Sequence, residues 1–445
     1  MDKKINAEEK FSLLNTFALT GNDQDGFREA VTTMAAHTRH EVIDPEDLRF
    51  LHVLHGESED KRQRKEHSIP DDKLVVKVLD QDGLDRFEDE GSPAVAMVAS
   101  KDFDEEQLSE MLRDTKLALK VGDEKFSVGS SSFMTLLQRA DLSGTAALAP
   151  TYARNLLLAE SIFSSGNAVH LVWREDGSYR KIFAGFGPRY KYIPQTILLD
   201  IMDRLDKDGT LGAPTVKEWR VDHYRSMILL EYPEAAEDIQ AEYKLPNKVT
   251  PGILLEVSDI GLCSITAEVI YKTEGSTAGI APELLMIKHV GDVTAEEVAD
   301  NIDQNLLPDI RKLPEALAEL IGIEVADYSS IDLTTKAGQN DNEAAVKKAL
   351  SSSVRGKLTT FLGKKRRKSL LEAMNAEINP AKRYTWYDVA TAVMELPDRI
   401  DGFDKGSVTY TKLQELVGQV PYALTKSAKT ITAGDVNDDE DITLV

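Results

Sequence analysis

The sequence predicts an α+β protein: a mixed or mainly antiparallel sheet flanked by helices, with helical N- and C-terminal parts. Two observations carry this. From Val216 to Val290 the runs VKEWRVDHY, SMILLEY, GILLEVSD, CSITAEVIYKT and ELLMIKHV read as strands with few helices between them, which argues against a regular βαβ repeat. Elsewhere apolar residues recur at helical spacing, most clearly in Asp104–Lys120, whose first turn is acidic and so matches the helix dipole.

The elements follow in order. FSLLNTFALT and FREAVTTMAAH have helix-like spacing on either side of GNDQDG, a turn. PEDLRFLHVLH predicts a further helix, with Asp44 as cap and Pro45 at its first position. ESEDKRQRKEH mixes both charge signs and reads as a solvated linker. KLVVKVL and AVAMVAS read as short strands, and SSSFMTLLQRA and APTYARNLLLAESIF as helices. AVHLVW (Ala168–Trp173) and YRKIFAG (Tyr179–Gly185) form an apparent hairpin, and an apolar helix follows at Pro194–Leu205. Thr294–Gly322 is helical and broken at Pro308 and Pro314, and Thr294 with Glu297 makes a capping box at its start.

The 445 residues leave room for about two or three domains. The expected division is a helical N-terminal region with a charged linker over 1–72, an α+β core over 73–328 and a polar linker over 329–345. A basic helical region over 346–424 and an acidic disordered tail over 425–445 complete it.

Composition narrows the function. A net charge of -23 keeps the whole chain from being drawn to DNA or to an anionic membrane, so any nucleic-acid contact needs a local basic patch. Cys263 is the sole cysteine, which excludes an intrachain disulfide and a cysteine-rich metal knuckle. MDKKINAEEKF lacks a signal-length apolar core, and no apolar run of about 18 residues offers a membrane span. The phosphate-loop pattern, the dinucleotide fingerprint and GxSxG are all missing, so no catalytic residue and no cofactor is expected. His37 with His40, and His52 with His55, stand at i, i+3, with His67 beyond. Without an HExxH motif or a visible supporting shell they predict exposed helical histidines and no metal.

Two stretches carry chemistry. In Gly185–Pro194, GFGPRYKYIP, two glycines and two prolines fix a short link between strand and helix. It holds Arg189, Tyr190, Lys191 and Tyr192, cations beside aromatics that suit an anionic or stacked ligand. From Lys347 to Tyr387 eleven basic residues face only Glu372 and Glu377. Arg355, Lys357, Lys364, Lys365, Arg366, Arg367 and Lys368 are the candidate phosphate contacts. Phe361, Tyr384, Trp386 and Tyr387 are interleaved and could stack on bases. The C-terminal GDVNDDEDITLV sets five acids before an apolar tip, a tail that shields the basic stretch or docks in a protein partner.

The middle of the chain, roughly Ser127 to Asn305, resembles a phage- and plasmid-like family of uncharacterised proteins known as a domain of unknown function. FAGFGPRYKYIPQ, GILLEVSDIGLCSITAEVIYKT with Ser258, Asp259 and Gly261, and IKHVGDVTAEEV with Lys288, His289 and Gly291 carry the resemblance, as does YTWYDVATAVMEL later on. The chain departs from that family where relatives carry a Cys-Asn step after the second strand; here it reads TEGSTAG. The resemblance implies a mobile genetic element and no reaction. With the basic stretch, it predicts a non-enzymatic nucleic-acid-associated protein in a bacterial host cytoplasm. Its expected partners are single-stranded DNA and further copies of itself. The alternative is a virion structural or assembly protein forming symmetric oligomers.

Overall fold

A computed structural model describes residues 6–79, 97–142, 150–208, 211–273, 280–287, 293–400 and 408–432. Along the first half run α1 (Ala7–Lys10), β1 (Ala18–Gly21), α2 (Gln24–His37), β2 (Thr38–Ile43), β3 (Leu48–Val53), α3 (Ser58–His67), β4 (Lys73–Val78) and β5 (Met97–Ala99). Then come α4 (Glu105–Asp114), β6 (Leu117–Val121), β7 (Glu124–Val128), α5 (Ser130–Arg139), α6 (Thr151–Ser165), β8 (Val169–Asp176), β9 (Tyr179–Phe186) and α7 (Ile197–Asp208). The second half adds β10 (Thr215–Asp222), β11 (Ser226–Glu231), α8 (Pro233–Tyr243), β12 (Val249–Val257), β13 (Ile265–Thr273) and β14 (Ile280–Ile287). It closes with α9 (Ala295–Asn301), α10 (Lys312–Ile321), α11 (Lys336–Ser353), α12 (Lys357–Ala376), α13 (Trp386–Met394), α14 (Leu396–Arg399), α15 (Val408–Gly418) and α16 (Val420–Ser427).

The fold is α+β, with two sheets. One is six-stranded, in the order β1-β10-β11-β12-β13-β14, and antiparallel throughout. The other, among the described residues, is eight-stranded, β2-β8-β9-β7-β6-β3-β4-β5, with one parallel pair, β7 with β9. Alternation sets the faces. Along β13, Ile265, Ala267, Val269 and Tyr271 point into the core while Thr266, Glu268, Ile270 and Lys272 stay half-covered. The eight-stranded sheet is buried on both sides: Leu48 and Phe50 meet Leu136 and Leu158 of α5 and α6, and Leu51 and Val53 meet Met111 of α4. The largest core lies against the six-stranded sheet and continues into α10, α11, α13 and α16; Val172 and Phe183 of the second sheet join it.

The helical N-terminal region is a correction. β1 pairs with β10, β2 with β8 and β3 with β6, so both sheets draw strands from residues 18–53. FSLLNTFALT turns and ends in β1, and PEDLRFLHVLH is one 3-10 turn followed by β3. A strand covered on both faces is apolar at successive positions, and periodicity cannot tell such a run from a helix. ESEDKRQRKEH is not a linker but largely α3. Arg64 bonds Asp60 at 2.8 Å and the carbonyls of Pro70 and Lys73 at 3.1 and 2.7 Å, which fixes a helix with little apolar face.

The linker over 329–345 is helical from Lys336, because Thr335 accepts from Gly338 N at 3.1 Å and caps α11. The helix predicted to reach Lys120 stops at Asp114; Thr115 Oγ1 donates to Val128 O at 2.6 Å and the chain returns as β6. The capping box of Thr294 and Glu297 is present, and the helix after it passes into a π-helical turn at Ile302–Leu306 and a 3-10 turn at Leu307–Arg311 that contains Pro308. Pro314 makes no break: it sits in the first turn of α10, where no helical N–H is lost. Among the described residues no helix is long and apolar enough to cross a membrane. Lys288, His289, Gly291, most of TEGSTAG and the acidic residues from Gly434 lie outside the described residues. The start of the tail expected over 425–445 is a correction: α16 runs to Ser427, and Ile431 is buried and bridged to Ala326.

Candidate nucleic-acid interface

The basic run sits on α12, which packs against α11 and α15. Gly363 breaks this helix at φ 73° and ψ 159°, a conformation that glycine adopts without strain. Lys364 to Lys368 therefore open a new helical segment. Cations at that end oppose the helix dipole and do little for the helix itself, whereas phosphates are attracted there. Lys357, Lys364, Lys365, Arg366 and Lys368 are exposed, and Arg355 is half-buried. Arg367 is turned inward instead. Its Nε donates to Val354 O at 2.9 Å and its Nη2 to Ser351 O at 3.2 Å, closing the last carbonyls of α11.

The interleaved aromatics do not flank these cations as stacking platforms, which corrects that expectation. Trp386 and Tyr387 are buried; Trp386 Nε1 donates to Lys429 O at 3.1 Å, and Tyr387 OH accepts from Asn247 N at 3.3 Å. Tyr384 OH accepts from Asn379 N at 2.9 Å, and Phe361 packs on the core. Their apolar bulk was more useful to a helical bundle than to a surface. A cleft of about 120 Å³ between α11, α12 and α13 is lined by Leu350, Met374 and Tyr384, with the paired Glu377 and Arg399 at its side.

The loop Gly185–Pro194 is a separate place, on the link from β9 to α7. A Cβ on Gly185 would overlap Leu136, so the close approach of α5 requires glycine there. Arg189 and Lys191 are exposed. Tyr190 stacks on Phe186 with ring centroids 3.8 Å apart, and its OH donates to Asp259 O at 2.8 Å. Tyr192 stacks on His40 at 4.7 Å. Burial pushes both phenols well above their ordinary range, with Asp259 adding to it. The two tyrosines thus anchor the loop, each with a ring face already covered.

Under this loop lies a polar cluster that the sequence reading missed, apart from Asp259. Asp259 is buried and accepts from Arg174 Nη2 at 2.8 Å and from Gln195 Nε2 at 3.0 Å. Ser226 Oγ donates to Gln195 Oε1 at 2.6 Å. Across the hairpin Val172 pairs with Ala184 and Trp173 with Ile182, which leaves Phe183 as a bulge beneath Arg174. Lys181 Nζ donates to Leu13 O at 3.0 Å and to Asn15 Oδ1 at 2.8 Å, and it pairs with Glu110. Burial lowers the Lys181 pKa while Glu110 raises it. His223 Nε2 bonds Ser12 O at 2.8 Å; burial, then Arg174, hold its pKa well below the usual value, so the ring is neutral. The available signal was two cations, Arg174 and Lys181, inside otherwise apolar strands.

The early histidines are not the expected exposed helical set. His40 and His52 lie on β2 and β3, and His52 is fully buried between Glu57 and Asn155 at 3.2 and 3.0 Å. His37 ends α2, stacked on Phe11, while His55 and His67 are exposed. Among the described residues no group of three or more His, Cys, Asp or Glu side chains is placed to hold a metal ion.

No protein-family model matches the sequence, and neither a curated protein nor a solved structure matches the chain.

Proposed function

We propose that this chain is a nucleic-acid-associated protein that grips phosphates through α12. The observation that carries the reading is the cluster of cations Lys364, Lys365, Arg366 and Lys368, exposed where a helical segment starts, in a chain of net charge -23. Basic side chains release counterions from a phosphate backbone, and this term is independent of sequence. With Trp386 and Tyr387 committed to the core, recognition rests on charge rather than base stacking. Single-stranded DNA is the proposed partner. Assembly of several copies would multiply one short patch into a usable groove. The same proposal includes a role on a mobile genetic element in a bacterial cytoplasm, with no reaction of its own.

The test is binding of single- and double-stranded DNA and of RNA at about 50 mM and about 200 mM salt. The reading expects binding that weakens steeply with salt and varies little with base sequence. No binding to any of these at the lower salt would overturn it. Large particles by light scattering, without nucleic-acid affinity, would favour virion assembly.

A further inference from the structure

Three nitrogen-bearing side chains from three elements converge under the loop 187–192. Arg139, at the end of α5, runs beneath Gly187, where a Cβ would lie 3.2 Å from Arg139 Cδ and 3.3 Å from its Nε. His170 on β8 is close enough to Arg139 to feel its charge, and its imidazole lies 5.5 Å from that of His40 on β2. Tyr192 closes the row by stacking on His40.

Three atoms here, Arg139 Nε, His170 Nδ1 and His40 Nε2, are buried and find no hydrogen-bond partner among the described residues. Among the described residues Arg139 keeps a long contact, Nη2 to Asn167 O at 3.4 Å. Buried polar atoms of this kind call for an explanation, and three in one row call for a shared one. Burial lowers the pKa of both histidines, and the charged groups that lower them further are themselves cationic: His170 acts on His40, and Arg139 on His170. Tyr192 is held protonated by its burial, so it contributes no charge.

A metal ion is disfavoured by the guanidinium beside the imidazoles. Protonated imidazoles and a guanidinium offer only N–H donors, and a compact oxyanion accepts from all of them. Arg189 and Lys191, exposed on the same loop, carry the sign of charge that attracts an anion. We propose that Arg139, His170 and His40 form a site for a phosphoryl group, either free phosphate or a phosphate monoester. The site shares no residue with α12, and it stands or falls apart from the reading of α12.

The test uses the full chain and follows the histidine ring signals by NMR during titration with inorganic phosphate. Two histidine signals, assigned by His40→Gln and His170→Gln, should move together and saturate. With sulfate, whose charge is constant, affinity should rise as pH falls from about 8 to about 6, because the bound form is the protonated one. Arg139→Gln should weaken binding by about tenfold or more while the chain stays folded, and Arg139→Lys should recover part of it. A 5′-phosphorylated oligonucleotide that moves these signals where its 5′-hydroxyl counterpart does not would assign the group to a nucleic-acid end. Free phosphate acting without any oligonucleotide effect would assign it to a small molecule. Phosphate that leaves both signals in place, or affinity unaltered in Arg139→Gln, would overturn the site.

Discussion

Arg174 and Lys181 stand directly opposite each other on β8 and β9, and both side chains are almost wholly buried. Like charges in that relation repel, so the hairpin needs a separate counter-charge for each. Asp259, from the turn between β12 and β13, serves Arg174, and Glu110 of α4 serves Lys181. The two cations therefore tie this hairpin to two different parts of the molecule.

Asp259→Asn leaves the Arg174 guanidinium buried and short of charge. It should cost about 3–5 kcal/mol in chemical denaturation, whereas Asp259→Asn with Arg174→Met should cost distinctly less. Equal losses in the single and double variants would show that the pair is not coupled.

Glu268 gives a pH dependence. Burial first, then the nearby Glu415 and Glu256, push its carboxyl up from 4.5 to about 7. The folded chain therefore holds a proton that the unfolded chain releases. Stability from this group is fully present below 4.5 and is lost as pH rises through about 7. Glu268→Gln should raise the Tm relative to wild type at about pH 8.5, and the difference should shrink towards about pH 4.5. A constant difference across that range would contradict the shift.

Arg367 separates structure from binding within the basic run. Its bonds to Ser351 O and Val354 O close α11, so Arg367→Gln should destabilise the chain by about 1.5 kcal/mol. The salt dependence of DNA binding should stay nearly unchanged. A variant of normal stability with a lower salt slope would place Arg367 on the phosphates after all.

The sequence made much of this fold legible where one face of an element is buried. β12, β13, α5 and the Thr294 cap follow from alternation, helical spacing and capping chemistry. It hid β3, because Leu48, Phe50, Leu51 and Val53 are buried on both faces and carry no strand period. It hid the starts of α3 and α11, because polar composition resembles a linker until Arg64 or Thr335 is seen to make its bonds. At the candidate interface the exposed lysines were legible as a run, but the inward turn of Arg367 was not. The Arg174–Asp259 pair joins residues 85 positions apart, which no local pattern reports.

The central claim is that the exposed cations of α12 meet phosphates. Lys364, Lys365, Arg366 and Lys368 should be replaced together by Gln, sparing Arg367, and the affinity for single-stranded DNA measured against salt concentration. If about three of the four contact phosphates, the slope of log affinity against log salt should fall by about two units, at about 0.7 for each single-strand phosphate, with the fold intact. A variant that stays folded and keeps the wild-type affinity and slope would contradict the account.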